Sequence, residues 1–410
     1  MPEGVRGYCV AYSGGVDSSV LLALSCESGL APLRAVHVHH GLQAVADDWV
    51  LHCERFCAAL SVPLEVLRVQ VDARHVAGPE AAAREARYAA FAAALRPGEV
   101  LMTAHHLDDQ AETFLMRALR GAGPRGLAAI RPWSAFGAGW LWRPLLSLSR
   151  DDLHERARER GLSWIDDPHN DDARYERVWL RRRLMPPLRE RWPAAVDSLS
   201  QAARHCAEAD ELLDDLAMLD ARAAVDDAGL SAIALRELSP ARRLNLLRWW
   251  LRSLALPPPP QTALARLPEL LEAPADAEPL LAWPGAELRR YRDRLHAMPP
   301  QPPEPGDFEC TWTGTGELEL PPGLGRLIGA SAAQRKLTLR FARGGERYKP
   351  VGASQHRTLK NLFQQNGIPP WQRRRTPLLL ENGQLIWIGG IDKESNGADG
   401  DGLSIAWQRG

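Results

Sequence analysis

The chain has 410 residues, 45% hydrophobic and 25% charged, with a formal net charge of −1. That length calls for two or three domains of ordinary size, and the near-neutral balance excludes a general polyanion binder while leaving local basic patches open. No run of about 18 apolar residues occurs, which excludes a membrane-spanning helix, and the first residues lack a signal peptide's apolar stretch, so a cytoplasmic protein is expected.

In chain order, Gly7–Tyr12 reads as a short apolar strand ending in a glycine loop, and Ser18–Cys26 as a helix. Strand Arg34–His39, helix Asp47–Leu60, strand Leu64–Val71 and helix Glu80–Leu95 follow. Then come strand Glu99–Ala104, helix Asp108–Arg120, strand Gly139–Arg143 and helix Asp151–Arg160. Strands interleaved with helices of this length imply crossovers and a mainly parallel sheet, with ligands beyond the carboxyl ends of its strands. After about residue 193 the pattern changes. Long helical stretches at Ala194–Ala224 and Pro240–Leu256 precede short strands at Leu280–Trp283, Glu287–Tyr291 and Arg294–Met298. Pro299–Pro305 and the glycine-rich stretch to Gly329 suit a linker or irregular edge strands, and Gly323–Gly329 reads as a loop. From Leu337 a compact α+β unit is expected. It holds a short helix at His356–Gln365 and a hairpin turn at Glu381-Asn-Gly-Gln384. The fold class is therefore α/β: a parallel-sheet domain over 1–193, a mostly helical domain over 194–300, a linker and irregular segment over 301–336, and a small α+β domain over 337–410.

The strongest chemical signal is Ser13-Gly14-Gly15-Val16-Asp17-Ser18, between the first strand and the first helix. Two glycines let backbone N–H groups curl around an anion, and the helix N-terminus adds partial positive charge. Ser13 and Ser18 add hydroxyl donors. Asp17 is out of place beside an anion unless it holds Mg²⁺ or orders the loop. The plain alternative is a Ser/Gly turn capping a helix. The loop is not a Walker A sequence, since G-x-x-x-x-G-K-[ST] is absent.

His105-His106-Leu-Asp108-Asp109-Gln-Ala-Glu112 sits where the fourth strand meets a helix. Asp109 and Glu112 are three apart and Asp108 and Glu112 four apart, so either pair can share a face. They suit Mg²⁺ on a pyrophosphate, or simple helix capping. His37 and His39 share a strand face and suit a nucleotide or substrate pocket better than a zinc site, with His40 on the opposite face. Arg84, Arg87 and Tyr88 adjoin on one helix, either as a solvated face or as phosphate contacts. Between Arg174 and Arg191, arginines including Arg177, Arg181, Arg183 and Arg189 alternate with Tyr175 and Trp179, and Trp192 follows. That composition suits RNA backbone and bases. The acidic turn-rich stretch before it suits a cationic amine or those same arginines. Lys360, Arg373, Arg374 and Arg375 belong to a basic excess near the C-terminus that suggests a nucleic-acid surface. The six cysteines form no C-x-x-C pair and read as free thiols.

The loop resembles the pyrophosphatase-type PP-loop, in which ATP is cleaved between its α and β phosphates. Together with H-V-H-H-G-L, E-A-A-A-R-E-A-R-Y, H-H-L-D-D-Q-A-E-T and, far downstream, R-T-L-K-N-L-F-Q-Q-N-G-I-P-P-W, the chain resembles the tRNA(Ile)-lysidine synthase family over most of its length. The resemblance implies an adenine nucleotide α-hydrolase-like first domain that uses ATP and Mg²⁺. It implies a C–N ligase acting on isoleucine tRNA with a CAU anticodon and on free L-lysine. No membrane partner is expected from the hydropathy, and a homodimer is left open. Under the resemblance Asp17, Asp108, Asp109 and Glu112 become the candidate catalytic residues, with Asp17 and Asp109 as the Mg²⁺ ligands. Ser13, Gly14, Gly15, Val16, Asp17, Ser18, His39 and His105 become ATP contacts. Arg84, Arg87, Arg181, Arg183, Lys360, Arg373, Arg374 and Arg375 become tRNA contacts. The rivals are a tRNA thiolase, expected to carry paired reactive cysteines, a small-molecule adenylating ligase, which needs no basic C-terminal domain, and an RNA-binding protein with a relic loop.

Overall fold

The structure is a computed structural model and describes residues 4–39, 41, 46–70, 79–166, 174–274, 277–331, 335–348, 355–391 and 403–409. His40 and residues 167–172 of the acidic stretch lie outside the described residues. The chain divides into two compact units, Met1–Leu213 and Asp214–Gly410. No helix among the described residues is long and apolar enough to cross a membrane.

The first unit is built on a six-stranded sheet. Its strands are β1 (Gly7–Ala11), β2 (Leu33–His39), β3 (Leu64–Arg68), β4 (Glu99–Met102), β5 (Trp133–Phe136) and β6 (Gly139–Trp142), in the order β3-β2-β1-β4-β6-β5. All neighbours run parallel except β5 against β6. The helices are α1 (Val16–Glu27), α2 (Ala46–Ala59), α3 (Pro79–Ala94), α4 (Leu107–Leu119), α5 (Pro124–Leu127) and α6 (Arg150–Glu159). Alternate residues of β1 go to opposite faces, as a two-residue period requires. Tyr8, Val10 and Tyr12 pack with Leu21, Cys53 and Leu153, whereas Cys9 packs with Phe91 and Leu101. A sheet covered on both faces explains why β1 and β4 read as continuous apolar runs. β5 was not expected from the sequence. Its Trp133 stacks on Trp142 of β6 at 5.0 Å between ring centroids, a tertiary contact with no periodic signature.

At the amino ends of the strands, Arg34 holds Glu99 through two bonds of 2.7 Å and Glu65 through one of 2.8 Å. At the carboxyl ends the order reverses direction between β1 and β4, and both the Ser13–Ser18 loop and the start of α4 lie there. This is the switch point at which open α/β sheets bind ligands. The unit is completed by α7 (Glu176–Trp179), a π-helical turn over Leu180–Leu184, α8 (Met185–Arg191) and the start of α9 (Ala195–Ala224). Leu180, Met185 and Val196 pack on Ala111 of α4 and fix this arginine-rich segment beside it.

The second unit begins within α9. Strands β7 (Val225–Asp226), β8 (Gly229–Ser231), β9 (Leu280–Trp283), β10 (Ala286–Tyr291) and β11 (Arg294–Met298) form a five-stranded antiparallel sheet. Helices α10 (Ala232–Glu237), α11 (Pro240–Ser253), α12 (Gln261–Ala265) and α13 (Leu267–Glu272) share its apolar core. The rest carries β12 (Glu309–Trp312), β13 (Gly316–Glu319), β14 (Arg326–Ser331), β15 (Leu337–Phe341), β16 (Arg347–Tyr348), β17 (Arg357–Thr358), α14 (Leu359–Gln365), α15 (Pro370–Arg373), β18 (Pro377–Glu381), β19 (Gln384–Ile388) and β20 (Leu403–Gln408). β12-β15-β18-β19 and β13-β14-β20 are its larger sheets. The stretch over Gly323–Gly329, expected to be loop, becomes strand from Arg326, because β14 gains a partner 82 residues downstream in β20. The β18–β19 hairpin turns at Asn382 and Gly383, both at positive φ, as its sequence requires.

Candidate active site at the carboxyl edge of the parallel sheet

The loop from Ser13 to Ser18 is held by its own hydroxyls. Ser18 Oγ donates to Gly15 O at 3.0 Å and accepts from Ser13 N at 3.2 Å, and Ser13 Oγ lies 3.0 Å from Ser18 Oγ. Ser19 Oγ also donates to Gly15 O. Gly14 has φ +86°, and a Cβ there would lie 2.5 Å from Ile165 Cδ1. Its carbonyl accepts from Ile165 N at 2.9 Å. The backbone curls only with glycine at this position. Gly15 is the N-cap of α1 and gives it no side-chain cap, so the first N–H groups of the helix stay open to an anion.

Asp17 projects from the first turn of α1. Burial raises its carboxyl above the usual range, against the pull of His106. Its Oδ1 is buried without a hydrogen-bond partner, and its Oδ2 lies 3.7 Å from His106 Nε2. A buried, unsatisfied carboxylate oxygen beside open amides suits a cation that bridges to phosphate.

His106, which sequence reasoning did not single out from its neighbour, is the hub. It is 1% exposed and N-caps α4. Its Nδ1 lies 3.5 Å from Asp108 Oδ2 and its Nε2 3.5 Å from Asp109 Oδ2. Burial pulls the imidazole down, but Asp108, Asp109 and Asp17 outweigh it and hold His106 above its ordinary value. Burial likewise pushes both aspartates up, yet they are held below the usual carboxylate range. For Asp108 the opposing groups are His106, the Arg150 backbone N–H at 2.8 Å and Arg189. For Asp109 they are His106 and Arg177. His105 behaves oppositely: burial pulls it down to about 4, and its Nδ1 lies 2.9 Å from Thr103 Oγ1.

Glu112, one turn further along α4, is clamped. Arg177 Nε donates to it at 2.8 Å, and Arg181 donates through Nε at 2.7 Å and Nη2 at 3.0 Å. Arg177 also reaches Asp109 Oδ1 at 2.9 Å. Arg181, expected among RNA contacts, thus closes on a carboxylate inside the protein. Asp108, Glu112, Arg150, Arg181 and Arg189 line a cleft of about 160 Å³. The signal for these pairings was present as arginines spaced by four, but nothing local says which acids they meet.

His39 is buried, with Nε2 3.4 Å from Asp47 Oδ1, and His37 donates through Nδ1 to Tyr12 O at 3.0 Å, fastening β1 to β2. Arg84 and Arg87 are exposed on α3, and Arg84 lies over the Tyr88 ring at 4.8 Å. In the other unit Lys360 and Arg374 are exposed. Arg373 and Arg375 hold backbone carbonyls of Ile368, Pro302 and Trp371. Among the described residues no group of three or more His, Cys, Asp or Glu gathers as a metal site.

The two histidines predict opposite pH effects on stability. His106 is raised, so its charged form stabilises the fold below 6.5, the ordinary value, and that contribution fades as pH rises through the elevated folded value. His105 is lowered, so its contribution is present above 6.5 and is lost as pH falls toward about 4. Thermal melts across pH check this. His106→Gln should flatten the decline above 6.5, and His105→Gln the decline below it. A His106→Gln protein that keeps the wild-type slope above 6.5 refutes the charge assignment.

Three family models match the chain: a PP-loop domain at residues 2–188, a TilS substrate binding domain at 230–296 and a TilS substrate C-terminal domain at 337–407. The tRNA(Ile)-lysidine synthase of Methylococcus capsulatus is 44% identical over 93% of this chain and 91% of its own length. That of Xanthomonas campestris is 46% identical over 93% and 89%, and that of Serratia proteamaculans 42% identical over 94% and 91%. Among solved structures, the U34-tRNA thiolase NcsA from Methanococcus maripaludis aligns at 15% identity and a TM-score of 0.41, over 51% of this chain and 74% of that one. The nucleotide-type loop, the acidic helix beside it and near end-to-end identity above 40% agree, and the chain belongs to the tRNA(Ile)-lysidine synthase family.

Proposed function

We propose that this protein uses ATP to join free L-lysine to C2 of the wobble cytidine of an isoleucine tRNA with a CAU anticodon. In this reading the cytidine O2 attacks the α-phosphate and pyrophosphate leaves. The lysine ε-amine then attacks C2, the C–O bond breaks, AMP leaves and the amine loses a proton. The observation that carries the reading is that the uncapped start of α1 carries Asp17, with one oxygen unsatisfied and the other 3.7 Å from His106 of the His106–Asp108–Asp109 cluster, at the carboxyl end of the sheet.

The open amides of α1 receive the departing pyrophosphate. Asp17 would hold Mg²⁺, which would supply charge neutralisation for that leaving group. Asp108 and Asp109, kept ionised, hold His106 in place. The cleft mixes Asp108 and Glu112 with Arg150, Arg181 and Arg189, so it can meet both the ammonium and the carboxylate of a free amino acid. Residues 1–193 are read as the catalytic domain, 194–300 and 337–410 as substrate and tRNA-binding domains. A thiolase reading fits less well. The Cys9, Cys53 and Cys57 thiols are buried and pushed up to about 12, a poor setting for sulfur transfer.

The test is incubation of the protein with ATP, Mg²⁺, labelled lysine and the CAU isoleucine tRNA. Label should enter that tRNA with one AMP and one pyrophosphate released per lysine. Pyrophosphate release with no lysine incorporated refutes the assignment.

A further inference from the structure

Seven arginines and two glutamates fall in the stretch from Arg174 to Trp192, both ends included. Arg177 and Arg181 turn inward onto Glu112, and Arg189 onto Asp108. Trp179 lies two residues from each of the first pair, so about 200° around the helix from Arg177, and it points the other way. It is 51% exposed, and Trp192, at the end of α8, is 58% exposed. Neither indole has been drawn into the apolar cluster that buries Leu180 and Met185 between them. Arg183 is exposed on the same short segment, and Arg191 lies over the Trp192 ring at 5.7 Å. The π-helical turn over Leu180–Leu184 sits between the two tryptophans, and such turns are frequent at functional sites.

We infer that Trp179 and Trp192, on the segment that also carries the exposed Arg183 and with Arg191 over the second ring, are stacking faces for unpaired bases of the RNA substrate. The inference rests on the tRNA reading proposed above. An indole offers a flat apolar face to any base, and a neighbouring guanidinium answers the phosphate that follows it. A protein partner would match this face less well, because the segment carries an excess of cations around isolated rings rather than a continuous apolar patch. Trp179 lies on the side of its helical turn away from the Glu112 clamp, and Trp192 caps the end of α8 in the same segment. A base held there is therefore carried on the chain segment that also shapes the charged cleft.

The full-length protein tests this through steady-state kinetics with the CAU isoleucine tRNA, ATP and lysine. Trp179→Ala and Trp192→Ala should each raise the KM for tRNA about tenfold, from the loss of one stacked base, and leave the KM values for ATP and lysine unchanged. Trp→Phe at either position should restore most of the loss. Binding of a fluorescein-labelled ten-nucleotide single-stranded RNA should weaken in parallel. Its salt dependence should be unchanged by Trp→Ala and reduced by about one phosphate contact in Arg183→Gln. Wild-type tRNA KM in both alanine variants overturns the stacking role and leaves the function standing. An alanine variant that dissociates a wild-type dimer on sedimentation also overturns it, since the rings would then face a second copy. A wild-type protein that modifies no tRNA removes the function and the stacking role together.

Discussion

Asp17→Asn should lower pyrophosphate release from ATP by about 10²–10³-fold, the scale for loss of one preorganised electrostatic partner, and at the same time raise the melting temperature of the ligand-free protein. The two effects share a cause. Asp17 sits where burial opposes its charge, with one oxygen lacking any hydrogen bond. A carboxyl raised above its unfolded value contributes stability at low pH that is lost as pH rises through the folded value, so at neutral pH the ionised group is a liability to the empty fold. Asparagine has the same shape without the charge. Such a strained polar group persists where chemistry needs it. A pyrophosphate-release assay and a calorimetric melt decide the matter. If Asp17→Asn turns over ATP normally, the role given to the loop is wrong. If activity falls but the melting temperature falls too, Asp17 is structural.

Glu112→Ala should destabilise the first unit by about 3 kcal/mol, the low end for breaking a buried ion pair. Glu112 accepts three bonds from Arg177 and Arg181 and is itself almost fully buried. Removing it leaves two guanidiniums facing each other near Asp109 alone. Their side chains keep 29% and 26% exposure, so water recovers part of the loss, which is why the low end applies. Urea denaturation at constant slope gives the number. Glu112→Gln keeps the shape and one acceptor and should cost less. Glu112→Leu combined with Arg181→Met should recover part of the Glu112→Ala loss, because charge is removed on both sides. An unchanged urea midpoint in Glu112→Ala would mean the clamp is incidental. A stable Glu112→Gln protein that is inactive would show that Glu112 acts at the substrate as well as under the arginines.

Much of this architecture is legible in the sequence. The parallel strands announced themselves because a sheet covered on both faces demands unbroken apolar runs, as at β1 and β4. The phosphate loop was legible because Gly14 needs a positive φ and Gly15 leaves α1 uncapped. Other features were hidden for physical reasons. β5 exists because Trp133 stacks on Trp142, and β14 continues because β20 pairs with it from far down the chain. Neither contact leaves a local pattern. His106 looked no different from His105, since adjacent residues share composition. Only burial among three carboxylates separates a histidine held above its ordinary value from one pulled down to about 4. The arginines of 174–191 were visible as a group, but their division into inward clamps and outward cations is set by helix phase and by the packing of Leu180 and Met185.

Arg34, Glu99 and Glu65 sit at the end of the sheet away from the candidate site. The two ends of the same strands therefore carry different burdens. A lineage adapting to heat or cold can adjust the Arg34 cluster and the residues around it without disturbing the loop and helix starts at the other end. Activity and endurance can then drift separately, each tuned from its own side of one sheet.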